Sequence, residues 1–345
     1  RIKSKYILIP IIFLLGNLLS LVVPSASSLA VLLMATLFPI LTRIDVSPLA
    51  AGAVIATTAT IMPTPLGADN VIAANTFGMN IMDYVIAHAK ISIPALLLMA
   101  VAHYFWQKYL DKKDGTNAEI DKSKIAELNT NLPPAYYAIL PILPLILVLV
   151  FNLALKGLNL NIGLVTITFI SLIASIIVEL IRKHEFTQIT HDIQEFFKGM
   201  GNGLAMVVSL LVAANLLIEG LKVLGVVDML TNSVTGIEGA GTLMMLAFSG
   251  VTFLIGLISG GGLSVFYATV DMLPGIAHAA SVTGPMIALP MQMIANLVRS
   301  ISPVAACIMI VCSTMGVTPM QLIKRTSVPV LVGCVACMVL AVVLL

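Results

Sequence analysis

The sequence predicts an all-α polytopic integral membrane protein built from inverted repeats, each with a re-entrant helical hairpin and a broken transmembrane helix. Three observations predict it: an apolar composition, prolines and glycines that recur at a near-constant spacing, and a one-sided distribution of basic residues. Of 345 residues, 59% are hydrophobic and 10% charged, with a mean hydropathy of +1.07. No soluble chain of that length could hide so much apolar side chain, and several runs approach the roughly 20 residues needed to cross a bilayer. The net charge of +2 carries little information, because placement rather than sum matters in such a chain. The expected surroundings are therefore lipid, with no nucleic-acid partner.

Residues 1–106 read as the first repeat. Its hairpin, 6–41, runs from Ile7 to Val23, turns at Pro24-Ser25-Ala26-Ser27-Ser28 and returns from Leu29 to Leu41. A broken helix over 47–79 and a span from Tyr84 to Trp106 follow. Residues 107–132, rich in Lys, Asp, Glu and Asn, read as a polar linker. Residues 133–345 read as the second repeat. Scaffold-type helices fill 135–224, near Tyr136 to Leu155, Ile162 to Ile181 and Leu204 to Leu224. A hairpin over 242–277 turns at Ser259-Gly260-Gly261-Gly262, and a broken helix covers 284–316. The return arms hold about 13 residues, about 20 Å of helix, which suits a re-entrant segment better than a crossing.

The pairs Pro39/Pro274, Pro48/Pro285, Pro65/Pro303, Gly78/Gly316 and Pro94/Pro329 stand 235, 237, 238, 238 and 235 residues apart, so an internal repeat is expected. Only Arg1 to Tyr6 precede the first hairpin and the chain has no initiator Met. The N-terminal helices of the first repeat are therefore expected to be missing.

Charge sets the topology. If the hairpins return to their side of entry and every other segment crosses, fourteen of the eighteen basic residues fall on one face, from Arg1, Lys3 and Lys5 through the linker lysines to Lys324 and Arg325. Lys156 and Lys222 fall on the other, and Lys90 and Arg299 stay within the membrane. The basic face, with the linker, is expected to be cytoplasmic. The first hairpin then enters from the cytoplasm and the second from outside, an arrangement met in many secondary transporters.

Arg299 is the most informative residue. A guanidinium at mid-membrane costs at least about 2.5–3.5 kcal/mol on insertion scales, so it is expected to face a wet cavity or an anion. Each broken helix carries a hydroxyl residue before a proline, Thr64-Pro65 and Ser302-Pro303, which predicts a helix start with the hydroxyl as N-cap. Ser27-Ser28 and Ser264 stand where the return arms begin. Four helix N-termini, whose free N–H groups favour anions, are thus expected to meet at depth. Asp69 and Asn70 read either as caps of the resumed helix or as an ion-coupling pair. His88 and Lys90 are expected to snorkel near the outer end of their span. Asp271 and His278 are expected in solvent.

Cys307, Cys312, Cys334 and Cys337 lie in apolar segments, and the last two form a CxxC that reads as small-residue helix packing. No disulfide, metal or cofactor is expected. An intramembrane hydrolase would need a base within reach of a nucleophile, and only His278 approaches a tip serine in sequence. An anion channel would need a continuous pore, against which a closed mid-depth site argues. A carrier of some small organic anion remains, and no enzymatic activity is expected.

Several runs resemble the anaerobic C4-dicarboxylate carrier C family, a group of hairpin-bearing elevator carriers. They include Leu32-Leu33-Met34-Ala35-Thr36-Leu37-Phe38-Pro39, Phe105-Trp106-Gln107-Lys108-Tyr109-Leu110-Asp111, Arg299-Ser300-Ile301-Ser302-Pro303-Val304 and Lys324-Arg325-Thr326-Ser327-Val328-Pro329. The second tip carries no asparagine, where that family would have one. The resemblance implies a bacterial inner-membrane carrier of succinate, fumarate and malate, driven by an ion gradient (H+ or Na+) or by exchange. It also implies a sliding transport domain and a homodimer. On that reading the substrate is expected to touch Ser25, Ser27, Ser28, Thr64, Ser259, Gly260, Gly261, Ser264, Arg299, Ser300 and Ser302, with Asp69 and Asn70 for ion coupling.

Overall fold

The computed structural model describes residues 5–114, 134–151, 162–183, 186–209 and 237–345, with isolated positions between 212 and 232. All regular structure among them is helical. The chain divides into two units, Arg1–Thr130 with Leu221–Leu345, and Asn131–Gly220.

In the first unit, α1 (Leu8–Leu19) is joined by a turn to α2 (Ala26–Arg43). Ser25 caps α2 by accepting from Ser28 N–H. The cap starts α2 earlier than expected and the helix runs on past Pro39, giving 18 residues, or about 27 Å, where about 13 residues were expected. By length and composition α2 could itself cross a bilayer. Ser47 and Pro48 open α3 (Pro48–Ala56), proline being suited to a first turn that needs no N–H. Beyond Ala56 the hydroxyls of Thr57 and Thr58 donate to the carbonyls of Ala53, Val54 and Ile55, so the broken end keeps its acceptors satisfied.

The helix resumes as α4 (Ala68–Thr76), capped by Gly67. Thr64-Pro65 was expected to start it but does not: Thr64 Oγ1 accepts from Leu66 N–H at 3.2 Å within the break, and the helix begins three residues after Pro65. Next comes α5 (Ile81–Asp114), which carries the first eight residues of the expected linker. Gln107 and Asp111 are buried rather than solvated, because Arg325 supplies their partner. The remaining linker residues lie outside the described residues.

The rest of this unit is α9 (Ala240–Ser259), α10 (Leu263–Thr269), α11 (Leu273–Ala279), α12 (Gly284–Leu297), α13 (Ala306–Met315) and α14 (Pro319–Leu344). The return arm after the second tip is interrupted by a 3-10 turn, Val270–Met272, before Pro274 restarts it. After α12 a 3-10 turn, Val298–Ile301, leads to an extended stretch, and α13 begins behind Ala305 rather than behind Ser302. The core lies along α12, buried from Pro285 to Leu297 and packed by α9, α10, α11, α14 and α5. α4 and α13 are each closed by a left-handed glycine, Gly78 (φ 62°) and Gly316 (φ 70°), the conformation that ends a helix without a Cβ penalty. Alongside, α5 and α14 pack against each other, and Trp106 Nε1 donates to Lys324 O at 2.9 Å.

In the second unit, α6 (Leu143–Leu149), α7 (Leu164–Lys183) and α8 (Phe186–Gly203) fall within the stretch read as scaffold helices. Tyr137 Oη donates to Glu179 at 2.5 Å, with the Arg182 guanidinium over its ring. The polar helix α8 was not expected from the apolar runs. Most of the span Leu204 to Leu224 lies outside the described residues. Among the described residues, six helical stretches are long and apolar enough to cross a membrane. With the composition they make this an integral membrane protein.

Candidate functional site

The Arg299 guanidinium turns inward, donating to the carbonyl of Ala59 in the break after α3. Ala59 stands at φ 54°, a left-handed conformation rare for a residue with a Cβ. The neighbouring Ser300 donates to Ala56 O at 2.8 Å. Both groups thus meet the carbonyl end of α3, where the helix dipole favours a cation. Arg299 Nε is buried and, among the described residues, has no hydrogen-bond partner. A buried donor in that state has capacity left for an acceptor.

Arg299 forms one wall of a polar cavity. Opposite and beside it stand Thr64, Asp69 and Asn70 of the first break, and Asn296 at the end of α12. Ser20 and Pro24 of the first tip and His88 of α5 complete the ring. The cavity is half open and its volume is about 30 Å³, room for about two waters and less than a four-carbon diacid fills.

A buried hydrogen-bond network fixes those walls. Tyr84 Oη donates to Gln292 Oε1 at 2.7 Å, Gln292 Nε2 to Asn70 Oδ1 at 2.7 Å, and Asn70 Nδ2 to Thr64 O at 2.8 Å. Asn296 Nδ2 donates to Asp69 Oδ2 at 2.8 Å, while Asp69 Oδ1 accepts from Asn70 N–H. Asp69 thus lies in the first turn of α4 but does not cap it. Amide side chains suit this place, since each both donates and accepts and so links two partners without adding charge.

The two break hydroxyls anchor the hairpins. Thr64 Oγ1 donates to Leu21 O at 2.7 Å, and Ser302 Oγ donates to Leu257 O at 2.7 Å. Neither is an N-cap, because the helices resume further on, behind Gly67 and Ala305; Thr64 Oγ1 also accepts from Leu66 N–H at 3.2 Å, inside the break.

The structure brings together Arg299, Thr64, Asp69 and Asn70 and leaves the remaining predicted residues outside the cavity wall. Ser25 and Ser28 bond each other at the start of α2, and Ser27 does not line the cavity. Ser259 bonds within its own turn, and Ser264 Oγ donates to Gly261 O at 2.8 Å. Gly260 packs by Val304 and Ala305, and Gly262 against Ala295. Ser300 and Ser302 are consumed by the carbonyls named above.

The expected meeting of four helix N-termini is corrected accordingly. The start of α4 lines the cavity and Pro24 precedes α2, but the starts of α10 and α13 lie outside it. His88 is also corrected: it is 3% exposed, lines the cavity and bonds Ser92 through Nδ1 at 3.0 Å. Lys90, Asp271 and His278 are exposed. The sequence reading missed Tyr84, His88, Gln292 and Asn296. The signal available was four polar residues at one-turn spacings, 84/88 and 292/296, inside apolar helices.

The model of the C4-dicarboxylate anaerobic carrier family matches residues 1–345. The Anaerobic C4-dicarboxylate transporter DcuC of Escherichia coli (strain K12) is 38% identical over 336 residues, covering 97% of this chain and 71% of that protein. The protein of the same name from Shigella flexneri matches to the same extent.

Proposed function

Since the chain belongs to the C4-dicarboxylate anaerobic carrier family, we propose that it is a secondary transporter of succinate, fumarate and malate in a bacterial inner membrane, with Arg299 as the grip on one substrate carboxylate. The single observation that carries the grip is the half-buried Arg299 guanidinium on a polar cavity, its buried Nε without a partner among the described residues. A guanidinium can hold a carboxylate through two parallel N–H bonds, which an ammonium cannot reproduce. Thr64 and Asn70 stand beside it, and Asp69 with Asn70 couples substrate to an ion, H+ or Na+.

The present cavity is too small for the diacid, so binding requires the tips to move. The hydroxyls of Ser25, Ser27, Ser28, Ser259 and Ser264 then have a route to the second carboxylate. Paired features support the inverted-repeat reading: the equivalent bonds of Thr64 and Ser302, and the left-handed glycines Gly78 and Gly316. Elevator-type movement of the site-bearing unit, with polar residues 107–132 facing the cytoplasm and two copies in a dimer, completes the reading.

Counterflow tests it. Proteoliposomes holding the whole protein and preloaded with succinate should accumulate labelled succinate, chemically unchanged, at a saturating rate. A labelled product, or single-channel currents, would contradict the carrier.

A further inference from the structure

His88 is the one residue in the cavity wall able to gain a positive charge, and the carrier reading gives it no role. It lies on α5 one turn after Tyr84 and one turn before Ser92, so the three share a face. Tyr84 reaches Gln292 of α12, and Ser92, fully buried, meets His88 Nδ1 at 3.0 Å. The ring is thus held by one nitrogen against the cavity it lines. The charged groups facing it from the packed elements are Asp69 of α4 and Arg299 of the turn after α12. Tyr84 lies on its own helix. Tyr267 of α10 is within electrostatic reach of Asp69 and Arg299, and Cys307 Sγ lies 3.8 Å from Arg299 O. The first tip contributes only Ser20 and Pro24.

Charge balance then makes a demand. With Asp69 ionised, Asp69 and Arg299 cancel, and a dicarboxylate dianion adds two negative charges to a site removed from water. A buried charge without a counter-charge is strongly unfavourable. The cation proposed to couple at Asp69 answers one of the two charges and leaves the other.

Resting on the carrier reading, we infer that His88 is the proton-exchanging residue of the substrate site. It takes one proton from water when the dianion enters and returns it when the dianion leaves. With Nδ1–H donating to Ser92 Oγ, Nε2 carries the lone pair that accepts the proton. The imidazolium formed is drawn to both Asp69 and the substrate. On entry an N–H bond forms at Nε2 as an O–H bond of hydronium breaks, leaving water, and on exit the reverse transfer restores both.

The test is the pH dependence of succinate binding by the whole purified protein between about pH 6.5 and 8.5, where an imidazole titrates and succinate stays mainly a dianion. A proton bound with the ligand tightens Kd about tenfold per unit fall in pH. His88→Gln, which can still bond Ser92, should lower that slope by one and reduce the protons taken up per succinate by one, counted with a pH dye in weak buffer. Ser92→Ala should shift the midpoint while keeping the slope, and this arm stands if the glutamine variant does not fold. Wild-type binding without proton uptake, or an unchanged slope in His88→Gln, would overturn the assignment. Failure of the wild type to bind succinate at any pH would overturn the carrier reading, and the role of His88 with it.

Discussion

Thr64 and Ser302, 238 residues apart, make the same hydrogen bond in the two halves of the chain. Each donates at 2.7 Å to a carbonyl of the hairpin beside its own broken helix, Leu21 O and Leu257 O. The acceptors stand 236 residues apart, within the spacing at which the prolines recur. A hydroxyl before a proline therefore works here as a strap between break and hairpin.

Cutting either strap leaves a buried carbonyl without its donor, which costs about 1–3 kcal/mol. Thr64→Ala should speed amide exchange at residues 20–25, and Ser302→Ala at 257–262, while Thr64→Ser keeps the wild-type rate. Hydrogen exchange read by mass spectrometry checks this, and equal exchange in all variants would deny the strap.

The second tip is seated by backbone contact. A Cβ on Gly262 would lie 2.6 Å from Ala295 Cα and 2.9 Å from Ala295 O, backbone atoms that cannot swing aside. A Cβ on Gly275, in the same return arm, meets nothing within 4 Å. Gly262→Ala should lower the melting temperature and succinate flux together, and Gly275→Ala should change neither. Matching behaviour of the two would contradict this packing.

Arg325 and Asp111 form an ion pair at 2.5 Å with side chains 2% and 1% exposed. Removing one partner strands the other charge and should cost about 3–5 kcal/mol, whereas apolar replacement of both is far milder. Asp111→Leu should therefore melt earlier than the Asp111→Leu/Arg325→Met double variant, as measured in detergent. The reverse order would show the pair to be dispensable.

Much of the fold could be read from composition and punctuation. The chain leaves its helices after α1, α3, α9 and α12 at stretches holding Pro, Gly or Ser, and Gly78 and Gly316, read only as a repeating pair, take the left-handed conformation. The misreadings share a cause, namely tertiary partners that a linear scan does not see. Ser302 reads as a cap, yet α13 begins only at Ala306 and the hydroxyl reaches across to Leu257 O. Gln107 and Asp111 read as linker until Arg325 arrives from 214 residues beyond Asp111. Of the site, Arg299, Thr64, Asp69 and Asn70 were visible because charge or a break is conspicuous in an apolar run. Tyr84, Gln292 and Asn296 were not, since their meaning lies in bonds between helices, and His88 reads as snorkelling although it is buried against the cavity. The serines of the tips bond within their own turns here, Ser25 with Ser28, Ser259 with Gly261 N–H and Ser264 with Gly261 O.

The affinity of the whole protein for succinate in wild type and Arg299→Lys, with melting temperature as the control for folding, tests the central claim most directly. A bidentate grip predicts a Kd weaker by about 30-fold or more, about 2 kcal/mol, with the fold intact. A folded lysine variant that binds succinate within about threefold of wild type would contradict the assignment of Arg299 as the residue that holds the substrate.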